Sequence, residues 1–427
     1  MPDILSQTLA VDFGTSNSAA ALLDGGAVRP VPLEDGAPTL PTAVFFPADG
    51  GPMQIGAAAG AALTGGIEGR YMRALKSVLG TPLFHEERLI GGRRRTLAEI
   101  VTAFLAEVKH RAEARTGRSL RHAVAGRPVH FHSADAARDA KAADDLAACY
   151  RAAGFEGLRF VLEPEAAALA SAGPGVPGAL GMIVDIGGGT SDFTLFRHGG
   201  PGAALEIIAS HGIRLGGTDF DRALSLAHAM PLLGQGGSLR RDFGPGALPV
   251  PNAIYADLAT WARIPFLYTG ETRRAVAEMQ KRALDPEAMA RLAACIEHEL
   301  GHELAFAVEA GKIAANGGAG DAAIRMEMIA PGLAAPLSPA ALDATLAEQT
   351  GGLVEAMAAA LAQAGVGGND VGTVVLVGGS SLMALVGRAA LQVCPGARVA
   401  RAEAFTAVVD GLALAIGQEI GTPVHAA

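Results

Sequence analysis

The chain has 427 residues, of which 50% are hydrophobic and 5% aromatic, and its net charge at pH 7 is −9. This length predicts about two to four compact units with a large core. The acidic balance argues against nucleic-acid and anionic-membrane partners, and no leader or apolar run of about 18 residues is visible, so we expect a cytoplasmic protein. Cys149, Cys295 and Cys394 lie far apart and predict buried thiols.

The apolar patterns predict strands and helices that alternate along the chain. In chain order they cover residues 9–13, 19–23 and 43–46 (strands), 99–116 (helix), 122–131 (strand), 134–153 (helix), 160–162 (strand), 163–172 (helix), 286–316 (one or two long helices), 374–381 (a strand and a glycine turn) and 410–420 (helix). Residues 234–251 read as a loop. The Gly/Pro-rich residues 171–181 are the best candidate boundary between two lobes.

Two glycine-rich turns share one pattern. IVDIGGGTSDFTLF at 183–196 and LAVDFGTSNSAA at 9–20 each place an aspartate, Asp185 or Asp12, at the end of an apolar run, and 173 positions separate these two residues. Glycine lets a turn expose its backbone N–H groups at close range, and Thr and Ser hydroxyls add donors. Aspartate supplies a hard oxygen for Mg²⁺. The pair predicts two related lobes that bind one polyphosphate with its metal ion.

Four further motifs complete a recognisable series. LAVDFGTSNS, LEPEAAALA, VDIGGGTSDF, LGGTDFD, VEAGKIA and LVGGSS follow one another along residues 8–420. In this order they resemble the ATPase domain of the seventy-kilodalton heat-shock chaperones, the DnaK class of the actin–hexokinase–heat-shock superfamily. ALKSVLG at 74–80 and two segments at 230–234 and 252–269 look most like the YegD-type branch.

The resemblance implies an α/β fold of two actin-like lobes with duplicated ribonuclease-H-like cores, mixed sheets and flanking helices. We expect lobe I at residues 1–172, with an outer subdomain at about 32–98. Lobe II would cover 173–427, with an outer helical subdomain at about 219–318. No peptide-binding β-sandwich is expected in this chain. ATP or ADP with Mg²⁺ would lie between the lobes.

The resemblance also implies residue roles. Lys76, Glu163, Asp185, Thr190 and Asp192 match catalytic positions, and Asp12, Asp185 and Glu163 match positions linked to the metal. The positions that match nucleotide contacts are Asp12, Gly14, Thr15, Ser16, Asn17, Gly187, Gly188, Gly189, Thr190, Gly216, Gly217, Thr218, Glu309, Lys312, Gly378, Gly379 and Ser380. The charge count supports the metal separately, because three carboxylates beside a polyphosphate would repel it unless a cation intervened.

The base-binding end departs from the family pattern. Leu382 stands where the chaperones carry an arginine that stacks on adenine, Ile313 replaces an arginine near the ribose, and Phe405 falls at an acidic position. Loss of the cation–π contact could cost about 1 kcal/mol of affinity. Adenine preference is therefore less secure than triphosphate binding.

These features predict a slow, Mg²⁺-dependent ATPase whose turnover is coupled to lobe opening and closing, with a protein client or cochaperone as a possible partner. A nucleotide-gated interaction module that scarcely hydrolyses is the main alternative. A filament former or a sugar kinase of the same superfamily is a further one.

A competing motif is HELGH at residues 298–302. On one continuous helix, the HExxH spacing would put His298 and His302 on one face to bind Zn²⁺, with Glu299 as the general base of a metallopeptidase. A solvated helix face with interleaved His and Glu is the competing interpretation.

Overall fold

A computed structural model describes residues 4–132, 135–171, 176–199, 206–241, 244–401 and 406–417. The chain divides into two compact units. The first contains the chain up to Gly216 together with the chain from Gly351, and the second is Gly217–Thr350. The predicted boundary segment 171–181 falls partly outside the described residues, so the division into lobes at residue 172 stays a prediction.

The described residues form twenty strands and thirteen α-helices, joined by short 3₁₀ and π segments. The strands are β1 (Thr8–Phe13), β2 (Asn17–Asp24), β3 (Ala27–Val31), β4 (Leu40–Pro41), β5 (Ala43–Pro47), β6 (Gln54–Ile55), β7 (Gly69–Arg73), β8 (Arg88–Ile90), β9 (Arg93–Arg95), β10 (His122–Arg127), β11 (Gly157–Leu162), β12 (Leu180–Ile186), β13 (Ser191–Arg197), β14 (Glu206–Ile213), β15 (Ser238–Arg240), β16 (Ala247–Pro249), β17 (Ala323–Arg325), β18 (Ala334–Pro336), β19 (Val371–Val377) and β20 (Arg398–Arg401). The helices are α1 (Ala57–Thr64), α2 (Leu97–Thr116), α3 (Ala136–Ala152), α4 (Glu163–Ser171), α5 (Gly217–Leu224), α6 (Ala253–Leu258), α7 (Gly270–Arg282), α8 (Pro286–Glu297), α9 (Gly301–Asn316), α10 (Pro339–Thr345), α11 (Ala347–Ala364), α12 (Ala384–Val393) and α13 (Ala407–Ile416).

Two mixed sheets of the first unit have the same topology. The first sheet has the order β11-β10-β1-β2-β3, to which the short β4 adds as a sixth strand beside β2, and the second has the order β14-β13-β12-β19-β20. In each sheet, three successive strands form an antiparallel meander. A later strand pairs parallel with the first strand of the meander, and one further strand pairs parallel with that later strand. A parallel addition requires a crossover connection, which the helices supply. The mixed α/β architecture expected from the sequence is confirmed.

Several element boundaries differ from the sequence prediction. Helix α2 begins two residues early because Thr96 and Glu99 form a reciprocal capping box. The strand predicted at 122–131 ends at Arg127. The predicted loop 234–251 contains the small hairpin of β15 and β16, so that prediction was wrong. The helix predicted at 410–420 is α13, and residues beyond 417 lie outside the described chain.

All three cysteines are buried, as the sequence predicted. Among the described helices, none combines the length and the apolar character needed to cross a bilayer.

Helices α4 and α13 pack closely on each other in the first unit. Their alanines share one buried cluster with apolar residues from both large sheets. At the crossing, a Cβ added to Gly411 would lie only 1.6 Å from the carbonyl oxygen of Ala166. Glycine at this position therefore sets how closely the two helices approach.

Replacing Gly411 by alanine is expected to destabilise the protein by about 3 kcal/mol, because the helices must separate to admit the methyl group. The measurement is urea unfolding followed by circular dichroism. Gly387→Ala is the matched control: Gly387 lies in α12, and a Cβ there meets nothing within 4 Å. That helical substitution should stabilise by roughly 0.5–1 kcal/mol. Equal effects of the two substitutions would contradict the close-packing argument.

Candidate functional site

Two structurally equivalent hairpin turns lie at the ends of the large sheets. In β1–β2, Asp12 pairs with Ala19, and in β12–β13, Asp185 pairs with Asp192 at the equivalent register. The second turn is closed by the N–H of Gly187, which donates to the carbonyl of Thr190 at 3.0 Å. The sequence pattern thus produces the same local geometry twice.

The first turn is equally tight. A Cβ on Gly14 would lie 2.2 Å from the carbonyl oxygen of Asn17, so only glycine fits this turn without rearrangement. The Ser16 carbonyl accepts a hydrogen bond from the N–H of Thr42 at 2.9 Å, which ties the turn to the neighbouring segment.

The two turns face each other in the first unit. A Cβ on Gly188 would lie 2.7 Å from Ser16 Oγ and 3.1 Å from Thr15 Cβ. A Cβ on Gly216 would lie 2.6 Å from the backbone nitrogen of Gly189. Three predicted glycine segments therefore meet in one place.

The turn at residues 378–380, which was predicted to contact adenosine, lies beside Asp185. Gly378 has a positive φ of 84°. A Cβ there would lie 2.8 Å from Asp185 Oδ1. Gly379 and Ser380 continue into a 3₁₀ turn, Gly379–Leu382, and the hydroxyl of Ser381 donates to the Gly378 carbonyl at 2.7 Å.

A buried ion pair lies among the acidic residues of the site. The Nζ of Lys76 donates to Glu163 Oε1 at 2.5 Å, and the lysine side chain is 8% exposed. Burial by itself would lower the pKa of Lys76, but the charges of Glu163 and Asp12 outweigh burial and raise it. Lys76 therefore carries a fixed positive charge inside a cluster of carboxylates.

Three aspartates near this pair hold protons more tightly than usual. Burial first, and the charge of Glu163 second, raise the pKa of Asp12 to about 7 and that of Asp185 to about 8. The same two causes raise the pKa of Asp192 well above its ordinary value, while the Val129 N–H, which donates to its carboxylate at 3.1 Å, opposes the shift. The site therefore gathers four carboxyl groups around one lysine, and without a cation the three aspartates tend to stay protonated.

Mg²⁺ fits this donor set if it is held through water and phosphate oxygens. The carboxyl groups of Asp12 and Asp185 supply hard oxygen donors, and a divalent cation would offset the burial and the charge repulsion that raise their pKa values. Within the described ranges, no three acidic, histidine or cysteine side chains could hold a metal directly. Mg²⁺ characteristically retains several waters and takes only one or two carboxylates, so this arrangement agrees with its chemistry.

The turn that carries Lys76 begins in a strained conformation. Ala74 has a φ of 59°, in the left-handed region, and precedes the 3₁₀ turn Leu75–Val78. This conformation costs about 1–2 kcal/mol for an alanine. The Ser77 hydroxyl donates to the Ala74 carbonyl at 2.7 Å and helps to hold it. Strain of this kind persists where surrounding contacts fix the backbone.

Four of the predicted nucleotide contacts lie in the second unit. Gly217 and Thr218 are at the start of α5, and Glu309 and Lys312 are on α9. The Nζ of Lys312 donates to Asp221 Oδ1 at 2.6 Å in a buried ion pair. A role for these four residues in nucleotide binding stays a prediction.

The HELGH motif does not lie on one helix. Helix α8 ends before His298, Glu299 has a φ of 56°, and α9 begins only after the break. The imidazoles of His298 and His302 therefore lack the i, i+4 relation that a zinc-binding helix provides. The Glu299 carboxylate accepts a hydrogen bond from Arg273 at 2.8 Å. Two helices, α8 and α9, cover the segment for which one or two long helices were predicted, and the single-helix zinc arrangement is not formed at HELGH.

Sequence reasoning missed several residues around the site. Tyr150 on α3 is fully buried, and its hydroxyl has no hydrogen-bond partner within the described part of the chain. Burial, and next the charges of Asp12 and Glu163, raise the pKa of Tyr150 well above its usual value. His132 and Arg214 also contact the Lys76 turn. The sequence signal for Tyr150 is a tyrosine on the same face of a predicted helix as Leu146 and Cys149.

Comparison with known proteins adds independent evidence. A family model described as Hsp70 protein matches residues 8–231, just over half of the chain. The chain is 32% identical over 227 residues to the chaperone protein DnaK of Endomicrobium trichonymphae, covering 52% of this chain and 34% of that relative. It is 34% identical over 224 residues to DnaK of Methanothermobacter thermautotrophicus, covering 51% and 35%. The matched region thus spans about a third of each relative's length.

Proposed function

Because the chain belongs to the Hsp70 family, we propose that it binds a magnesium–nucleoside triphosphate at the paired turns and hydrolyses it slowly. The observation that carries this proposal is the Lys76–Glu163 pair at 2.5 Å amid Asp12, Asp185 and Asp192. Phosphoryl transfer needs positioning and charge stabilisation more than covalent chemistry, and this cluster supplies both.

The proposed reaction assigns a distinct task to each part of the site. Backbone N–H groups of the turns at 14–17 and 187–190 would bind phosphate oxygens. The Lys76 ammonium would stabilise charge that develops on the terminal phosphate, and Glu163 would orient that lysine. Asp192, whose carboxyl group accepts a hydrogen bond from the Val129 N–H, would accept a hydrogen bond from the attacking water. Mg²⁺, bound through Asp12 and Asp185, would supply Lewis-acid stabilisation of the phosphates.

The proposal extends to a coupling between hydrolysis and lobe movement, and to a chaperone-like role with a protein partner. A cytoplasmic location and the YegD-type branch also stay predictions. The supporting facts are the family membership and the order of the six motifs along this chain.

The direct test is single-turnover hydrolysis of radiolabelled ATP by the purified chain with Mg²⁺. We expect phosphate release that is lost in EDTA, and binding of both ATP and ADP by calorimetry. Binding of GTP, measured in the same way, tests whether the site discriminates between bases. Absence of binding to any triphosphate would overturn the proposal.

A binding module that scarcely hydrolyses is the second candidate function, and one observation favours it. Leu382, 37% exposed, is the last residue of the 3₁₀ turn Gly379–Leu382 and stands where a base-stacking arginine is expected. A base held without that cation is held less firmly. Tight ATP binding with no phosphate release over hours would select this alternative.

A further inference from the structure

The Lys76 turn is the 3₁₀ turn Leu75–Val78, capped by Leu79. Side chains from distant parts of the first unit bind its C-terminal end. Arg214 Nη2 donates to the Ser77 carbonyl at 3.2 Å. The Nε2 of His132 lies 2.7 Å from the Leu79 carbonyl oxygen, and Arg214 Nη1 lies 3.1 Å from the Nδ1 of His132. The Ser77 and Leu79 carbonyls, two residues apart, are thus connected through one arginine–histidine pair.

The hydrogen-bonding capacity of arginine fixes the state of His132. A guanidinium has only donors, so the Nδ1 of His132 must accept the hydrogen bond from Arg214. The imidazole is then neutral with its proton on Nε2, where it donates to the Leu79 carbonyl. His132 is 7% exposed, so water competes little for its bond to the Leu79 carbonyl, whereas Arg214 is exposed. Two hydrogen bonds thus run from Arg214 through His132 to the backbone that follows Lys76.

A third contact fixes the same backbone from another element. The N–H of Gly80 donates to Asp145 Oδ2 at 3.0 Å, and Asp145 lies on α3. Gly80 has a positive φ of 74°, and a Cβ there would lie 2.4 Å from the Arg138 carbonyl oxygen. The turn therefore has little freedom to shift once these contacts form.

Arg214 also connects this turn to the glycine turn at 187–190, named here the second phosphate turn after its proposed role. It lies two residues before Gly216, which approaches the backbone of Gly189 closely. The carbonyl of Leu215 accepts a hydrogen bond from the Ser191 hydroxyl at 2.6 Å. The backbone on either side of Arg214 is thereby fixed to the second large sheet.

We propose that Arg214 and His132 are positioning residues that set the place of the Lys76 ammonium relative to the second phosphate turn. The proposal rests on the proposed ATPase function. Arg214 does not touch the reacting atoms. It acts through the Ser77 carbonyl and through His132, and a shift of the turn would move Lys76 away from the terminal phosphate.

The test is ATP turnover by Arg214→Gln, measured with nucleotide affinity. We expect kcat to fall roughly ten- to a hundredfold, because a misplacement of about 1 Å has this effect on well-oriented groups. KM should change less than about threefold, because the backbone donors of the turns remain. Arg214→Lys should restore only part of kcat, since an ammonium cannot serve both acceptors with the geometry of a guanidinium.

Two comparisons separate positioning from simple destabilisation. Arg197→Gln removes an exposed arginine that pairs with Glu206 on the same sheet, and it should leave kcat unchanged. In a Lys76→Ala background, Arg214→Gln should cause no further loss of kcat, because the group that it positions is already absent. Additive losses would overturn the positioning role, and Arg214→Lys tests it again if the glutamine variant fails to fold.

The outcomes also separate this inference from the function on which it rests. If the native chain hydrolyses ATP and Arg214→Gln is equally active, the positioning role is wrong and the proposed function stands. If the native chain shows no turnover, the proposed function fails, and the positioning role fails with it.

Discussion

Lys76→Ala is expected to lower single-turnover phosphate release by about 10²–10³-fold, the loss typical of removing one preorganised charge-stabilising group. Lys76 is 8% exposed and is bound to Glu163 at 2.5 Å, so its charge acts in a site with little screening water. ATP binding should persist, because the backbone N–H groups of both turns, the proposed phosphate donors, are unchanged. Rapid quench with labelled ATP measures the chemical step directly.

The control for this experiment must separate catalysis from folding. Breaking a buried ion pair by removing one partner costs about 3–5 kcal/mol, so thermal unfolding of Lys76→Ala must be measured alongside its activity. The double change Lys76→Met with Glu163→Gln removes both charges at similar volume and should fold better while staying inactive. Lys109→Ala, a partly exposed lysine paired with Glu113, should keep full turnover. Unchanged turnover in Lys76→Ala would refute the catalytic assignment.

The metal-free protein is expected to lose stability as the pH rises from about 4 to 8. Burial and the charge of Glu163 raise the pKa of Asp12 to about 7 and of Asp185 to about 8 in the folded state. Between the unfolded value near 4 and these folded values, the folded protein binds more protons than the unfolded chain. The free energy of unfolding therefore falls with rising pH, by at most about 1.4 kcal/mol per pH unit for each carboxyl.

Urea unfolding in EDTA at pH 5, 6, 7 and 8 measures this slope. Asp12→Asn is the matched control, since an amide cannot release a proton, and it should give a shallower slope than the native chain. Mg²⁺ with ADP should also flatten the slope, because a bound cation favours the ionised carboxylates. Identical slopes for the native chain and Asp12→Asn would contradict the raised pKa of Asp12.

The sequence determined the two glycine turns because their structure is local. Asp12 and Asp185 follow buried strands, and Gly14 and Gly187 allow the tight turns that come next. A strand, a glycine turn and a second strand form within about a dozen residues, so their side-chain pattern specifies them directly. The order of six such motifs was enough to indicate the family and the mixed α/β fold.

Only the tertiary structure decided which distant residues complete the site. His132 and Arg214 are 82 positions apart in sequence, and Arg214 reaches a carbonyl 137 positions away. No local pattern encodes such contacts, because they depend on how sheets and helices pack. At HELGH a local pattern was insufficient. Its spacing is compatible with one helix, but the helix is interrupted at Glu299, whose φ is 56°. Local periodicity specifies elements, whereas packing decides where an element ends and which side chains meet.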